Sequence, residues 1–171
     1  YDVRPETKEQ AESLGAQFVT LKTAIDATGT GGYARELTAE ERDAQQAELN
    51  AVIGGMDVVI TTAQVPGKKA PVLITEEMVR AMKTGSVIVD LAAEQGGNCA
   101  LTVADQDVVR HHVTILGPTN LPATMPTHAS QMYSRNVATV AQHLLKDGTL
   151  VVDPSDEITG AMLVTHEGAI R

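Results

Sequence analysis

The sequence predicts an α/β fold in which a doubly wound parallel sheet is followed by a long helix and a C-terminal β-hairpin. Three observations carry that expectation. The run Ser86-Val-Ile-Val-Asp90 is apolar on both faces and rich in β-branched residues, as a strand covered by helices on both sides must be. Similar runs at 57–62 and 113–117 alternate with helical segments, the alternation that builds a parallel sheet. Past Asp90 the composition turns to Glu94, Gln95, two glycines and Asn98. Polar, glycine-rich loops at the carboxyl ends of parallel strands are where open α/β sheets take ligands.

The elements follow in order. Pro5 suits a first helical turn, and strong helix formers run from Glu6 to Leu14 before Gly15 closes the segment. Residues 16–21 (Ala-Gln-Phe-Val-Thr-Leu) read as a strand, and Thr28-Gly-Thr-Gly-Gly-Tyr-Ala34 as a glycine-rich loop without apolar period. Thr38 with Glu41 three residues later is a capping box opening a helix that reaches about Ile53. After the strand at 57–62 come a loop from Gln64 to Pro71 and a short helix starting at Thr75. Residues 99–102 read as a brief extended piece. Residues 130–145 carry helical spacing (Met132, Val137, Val140, Ala141, Leu144), and 150–152 with 161–165 suggest the terminal hairpin. The pattern changes at Pro122, so two parts are expected, 1–121 and 122–171.

Composition narrows the function classes. Twenty-two acidic residues against 13 basic give a formal net charge of −9, which disfavours nucleic acid and anionic membrane surfaces. The one cysteine, Cys99, leaves no internal disulfide and fits a reducing compartment. No run approaches the roughly 18–20 apolar residues that cross a bilayer, and a soluble cytoplasmic protein is expected. The first strand signal is already ending at Tyr1-Asp2-Val3, so the chain reads as a fragment whose N-terminal half packs against it as another segment.

In a βαβ dinucleotide site an acid at the end of the second strand accepts from the adenosine ribose hydroxyls. Asp2 stands where that acid belongs, in a Rossmann-type sheet lacking its first strand and helix. A carboxylate there favours NAD over NADP by repelling a 2′-phosphate. Arg4 is the kind of neighbour an NADP site uses, but an acid at the strand end generally wins. On this residue alone, a plain loop acid is the better reading of Asp2. Gly29-Thr-Gly-Gly32 lacks the spacing of the glycine fingerprint and reads as a connection.

Asp2-Val-Arg-Pro, Gly31-Gly-Tyr-Ala34, Thr61-Thr-Ala-Gln-Val-Pro-Gly-Lys, Pro71-Val-Leu-Ile-Thr-Glu-Glu-Met and Val89-Asp-Leu-Ala-Ala-Glu-Gln-Gly-Gly-Asn-Cys99 occur in that order. Together they resemble the NAD(H)-binding domain (alpha subunit, domain I) of proton-translocating NAD(P) transhydrogenase. The likeness continues through Gly117-Pro-Thr-Asn-Leu-Pro and Ser130-Gln-Met-Tyr. It implies direct hydride transfer between NAD(H) and NADP(H) coupled to proton movement, with NAD as the cofactor held here. It implies that Asp2, Val3 and Arg4 hold the adenosine ribose. Gly32 and Tyr33 would ride on a loop closing over the nucleotide, Gln45 would approach the adenosine side, and Gln64 would sit at a strand tip. The family usually carries an aliphatic residue where Gln64 stands. No catalytic side chain and no metal ligand is implied, because positioning and water exclusion are the protein's part of a hydride transfer. The implied partners are NADP-binding and membrane subunits or domains and a second copy in a homodimer, at the cytoplasmic or matrix face of the membrane.

Other polar residues have plainer readings. His111 and His112 read as solvated, His128 and His143 as structural, and Cys99 as a small buried residue. Glu94 is an acid or base by type, but Gln95 and Asn98 beside it favour a hydrogen-bonding loop. Two rivals remain: an alanine dehydrogenase-like oxidoreductase, and a non-catalytic NAD-binding subunit.

Overall fold

A computed structural model of the chain describes residues 1–22, 37–65 and 67–170. It divides into two compact units, Tyr1–Asn120 and Leu121–Arg171. The first holds a four-stranded sheet of order β1-β2-β4-β3, made of β1 (Val58–Thr61), β2 (Val87–Asp90), β3 (Asp107–Arg110) and β4 (Val113–Leu116). β1, β2 and β4 are parallel, in the register Val58–Val87–Thr114 and Ile60–Val89–Leu116. Their carboxyl ends therefore lie along one edge.

Helices set one face of this sheet. α1 (Glu6–Ser13) buries no residue. α2 (Ala39–Ile53) starts at the predicted capping box, where Thr38 accepts from the Glu41 amide and Glu41 reaches back to the Thr38 amide. α3 (Glu76–Ala81) is capped by Thr75, whose side chain accepts from the Met78 amide. Leu49 and Ile53 of α2 with Met78 and Val79 of α3 close over Ile88, Val113 and Ile115 as one apolar cluster. The opposite face is open: Val58, Ile60 and Val109 are more than half exposed. The twofold repeat of strand side chains explains the split, since Val59, Ile88 and Ile115 share one face and Val58 and Ile60 the other.

Several expectations shift. Residues 16–21 are not a strand, because among the described residues no neighbouring strand offers them a hydrogen-bonding partner. β3 was not expected; it pairs antiparallel with β4, so the sheet is mixed. Its turn is His111-His112, both at positive φ (52° and 63°), a mirror-image hairpin turn built from residues that tolerate it less easily than Asn-Gly. The glycine-rich loop with Gly32 and Tyr33 lies outside the described residues.

In the second unit α4 (Leu121–Thr124) precedes α5 (Pro126–Leu144), which begins four residues before the predicted start because Pro126 occupies its first turn. Hairpin strands are present, but as two separate ribbons. β5 (Leu145–Lys146) pairs with β6 (Thr149–Leu150), and β7 (Thr165–His166) with β8 (Ala169–Ile170). Residues 150–152 and 161–165 do not pair, because Asp156 caps α6 (Glu157–Met162) by accepting from the Thr159 amide and draws Ala161 into helix. Among the described residues no helix is long and apolar enough to cross a membrane.

Candidate functional site

The carboxyl edge of β1, β2 and β4 carries a continuous line of polar groups. Its foundation is Asp90, the last residue of β2 and fully buried. Oδ1 accepts from Thr61 Oγ1 (3.1 Å) and the Ala92 amide (3.1 Å). Oδ2 accepts from the amides of Asn98 (2.8 Å) and Cys99 (2.9 Å) and from Thr102 Oγ1 (2.6 Å). Five neutral donors thus fix the loop after β2 to the strand tips, as a buried carboxylate requires. Gly97 completes the wrap at φ +80°, where a Cβ would stand 2.8 Å from Asp90 Oδ2.

Asn98, also buried, fastens the neighbouring loop. Its Nδ2 donates to the carbonyls of Ala63 and Pro71, both at 2.8 Å, and its Oδ1 accepts from the Ala63 amide at 3.0 Å. The loop after β1 is therefore tied to the loop after β2 by a side chain satisfied at both ends. Cys99 is free and buried, and burial pushes its thiol up. That suits an inert packing residue.

Above this floor lie the groups open to a ligand. Gln64, just past β1, donates from Nε2 to the Leu91 carbonyl (2.7 Å), and its Oε1 faces Gln95 Nε2 at 3.4 Å. The Leu91 carbonyl accepts only, so Gln64 must present its oxygen to Gln95 and Gln95 must turn its own oxygen inward. Gln95 Oε1 is buried and has no hydrogen-bond partner among the described residues. Glu94, on the turn Ala93–Gln95, accepts the backbone N–H of Asn120 in the loop after β4. Gln64, Gln95, Glu94 and Asn120 so run across the tips of three parallel strands.

A second cluster gathers at the amino end. Arg4 grips Asp2 through Nε to Oδ1 (3.0 Å), Nη2 to Oδ2 (2.8 Å) and its own amide to Oδ1 (2.9 Å). Burial pushes the Asp2 carboxyl up, but the Arg4 hydrogen bonds outweigh it and hold the pKa below the usual value. A carboxylate accepts about four hydrogen bonds, so Oδ2 retains capacity for an incoming hydroxyl. Gln45, buried on α2, donates from Nε2 to Tyr1 Oη at 2.7 Å. Burial raises the Tyr1 phenol, against the Gln45 contact that lowers it.

Of the predicted site residues, Asp2, Arg4 and Gln45 meet in this cluster through Tyr1, with Val3 half-buried between Asp2 and Arg4. Gln64 belongs to the strand-tip line, its side chain turned onto the Leu91 carbonyl. Gly32 and Tyr33 fall outside the described residues. Sequence reasoning missed Asn120 and the keystone role of Asp90. A polar Pro-Thr-Asn run directly after a buried strand was the signal for the former; for Asp90 there was none, since its partners are scattered over forty residues of chain. The donor set fits a dinucleotide, with carboxylate and amide acceptors for sugar hydroxyls and amide donors for a carboxamide. Among the described residues no group of three or more His, Cys, Asp or Glu is placed to hold a metal.

Comparisons with known proteins add the family. The family described as "Alanine dehydrogenase/PNT, C-terminal domain" matches residues 1–171. The NAD(P) transhydrogenase subunit alpha of Cereibacter sphaeroides is 49% identical over 99% of this chain and 34% of its own length. The alanine dehydrogenase of Mycobacterium tuberculosis is 30% identical over 94% of this chain and 44% of its own. Among solved structures, the transhydrogenase from Sinorhizobium meliloti superposes with a TM-score of 0.75 at 36% identity, covering 99% of this chain and 44% of that one. The chain spans less than half the length of each of these relatives.

Proposed function

The chain belongs to the alanine dehydrogenase/PNT C-terminal domain family, and from that premise we propose that it is the NAD(H)-binding part of a proton-translocating NAD(P) transhydrogenase. The observation that carries the reading is a likeness to transhydrogenase alpha subunits along the whole chain, stronger than the likeness to alanine dehydrogenases. The nucleotide supplies the hydride chemistry. The chain's own residues bind, orient and exclude water.

Asp2 accepts from the adenosine ribose hydroxyls, with Arg4 holding the carboxylate ionised and Val3 fixing the backbone between them. Gln45 supports that end through Tyr1. Gln64 orders the strand-tip amides for the other end of the nucleotide. Gly32 and Tyr33 belong to the loop that closes over it. No side chain has to take or give a substrate proton, which agrees with amides rather than a paired base and nucleophile along the tips. The larger assembly supplies an NADP-binding component and a membrane component at the cytoplasmic or matrix face. A second copy completes a homodimer through 122–171, and a preceding segment covers the exposed face of β1.

Calorimetric titration with NADH and NADPH tests the binding step: preference for NADH is expected, and equal or absent binding of both would overturn the reading. Hydride exchange on adding an NADP-loaded partner separates a transhydrogenase from a non-catalytic subunit. Oxidation of NADH by pyruvate and ammonia marks the alanine dehydrogenase alternative instead.

A further inference from the structure

Above the buried Asp90, Glu94 is an exposed carboxylate on the strand-tip line. A carboxylate so placed is the natural candidate for a general acid or base. Its geometry says otherwise. One oxygen accepts the backbone N–H of Asn120, 26 residues on, in the short loop between β4 and α4. Asn120 sits at φ +48°, a left-handed conformation that a non-glycine residue adopts at some cost and keeps only where surrounding contacts impose it. Those contacts are visible. Thr119 Oγ1 donates to Asp105 Oδ1 at 2.9 Å, the Asp105 amide donates to the Gly117 carbonyl at 2.7 Å, and Gly117 is packed so closely that a Cβ would meet the Val103 carbonyl at 2.3 Å. The Glu94 contact is the last of the series. It joins this loop to the turn Ala93–Gln95, which lies above the Asp90 floor.

We propose that Glu94 is a positioning residue that works through Asn120: its carboxylate fixes the left-handed turn, and the turn aims the Asn120 side-chain amide across the strand tips toward the bound nucleotide. That amide is exposed, and no side-chain hydrogen bond ties it down among the described residues. It offers two donors and an acceptor. Asn120 is then a contact to the polar groups of the nucleotide, and Glu94 transfers no proton. This inference rests on the dinucleotide reading above.

Positioning and proton transfer make different demands on Glu94. An amide oxygen accepts a backbone N–H, so Glu94→Gln keeps the turn; Glu94→Ala loses it. With the variants made in the native host and purified as the assembled protein, the Asn120 amide should exchange slowly with solvent in wild type and in Glu94→Gln. It should exchange at least tenfold faster in Glu94→Ala. Hydride transfer should fall about tenfold in Glu94→Ala and in Asn120→Ala, the worth of one good polar contact. Glu94→Gln should retain most of the rate with an unaltered pH profile. The inference is overturned if Glu94→Gln is as slow as Glu94→Ala or loses a limb of the pH profile, which assigns proton transfer to Glu94. It is overturned equally if Asn120 exchange is the same in all three proteins, or if Asn120→Ala matches wild type. Wild-type protein that binds no dinucleotide overturns the underlying reading, and this inference with it.

Discussion

Two aspartates anchor the two polar clusters of this molecule, and their surroundings are opposites. Asp90 is sealed under the loop after β2, with five neutral donors and no cation on it. Asp2 is about 30% exposed and shares its carboxylate with one arginine. The sealed acid can only hold the scaffold, because every lone pair is committed to it. The open acid is partly exposed to solvent, which suits the ribose contact proposed for it. Residue type is the same; solvent access and partner count separate the two.

The largest test of that contrast is Asp90→Ala. It strands five donors beneath the loop, and stability in urea should drop by about 3 kcal/mol or more. A loss below about 1 kcal/mol would show that the network is dispensable. Gly97→Ala attacks the same wrap from outside: its Cβ would meet Asp90 Oδ2 at 2.8 Å from a backbone at φ +80°. Roughly 1–3 kcal/mol of destabilisation is expected for a strained, crowded site, with nucleotide affinity following the fraction folded.

Asp2→Ala should show the reverse pattern. Thermal stability should change by under about 1 kcal/mol, since a partly exposed ion pair contributes little. NADH affinity should fall about tenfold, the worth of a charge-assisted hydrogen bond to the ribose, and the preference over NADPH should narrow. A large stability loss with unchanged affinity would move Asp2 into the same class as Asp90. The smallest effect is on pH. Because the Asp2 pKa is lowered in the folded chain, its contribution is fully present above the ordinary aspartate value and is lost as pH falls through the lowered one. Wild type should therefore lose slightly more stability than Asp2→Ala on acidification below that ordinary value, seen by comparing the two melting curves.

Legibility followed the range of the interactions. The Thr38–Glu41 capping box, the Thr75 cap and the apolar runs of β1, β2 and β4 were readable because each is written within a few residues. β3 was not: Asp107-Val-Val-Arg is too short and too polar to announce a strand, and it exists because β4 offers it an edge. Residues 16–21 failed for the complementary reason, a strand-like composition that no strand pairs with among the described residues. The tip of β2 was recognised as a site from its polar glycine-rich loop. What each polar residue does there was not recognisable, since Asp90 meets donors from Thr61 to Thr102 and Glu94 meets Asn120.

What the sequence by itself determined is therefore the local grammar: the helices and their caps, the parallel α/β class, the family resemblance, and which loops are polar. Only the tertiary structure decided which carboxylate is sealed and which is open, which of two apolar strand faces is covered, and that the loops after β1, β2 and β4 are bound into one edge. The physical reason is burial. Whether a charged or apolar group is removed from water depends on chain segments far away in sequence, and its chemistry follows from that removal.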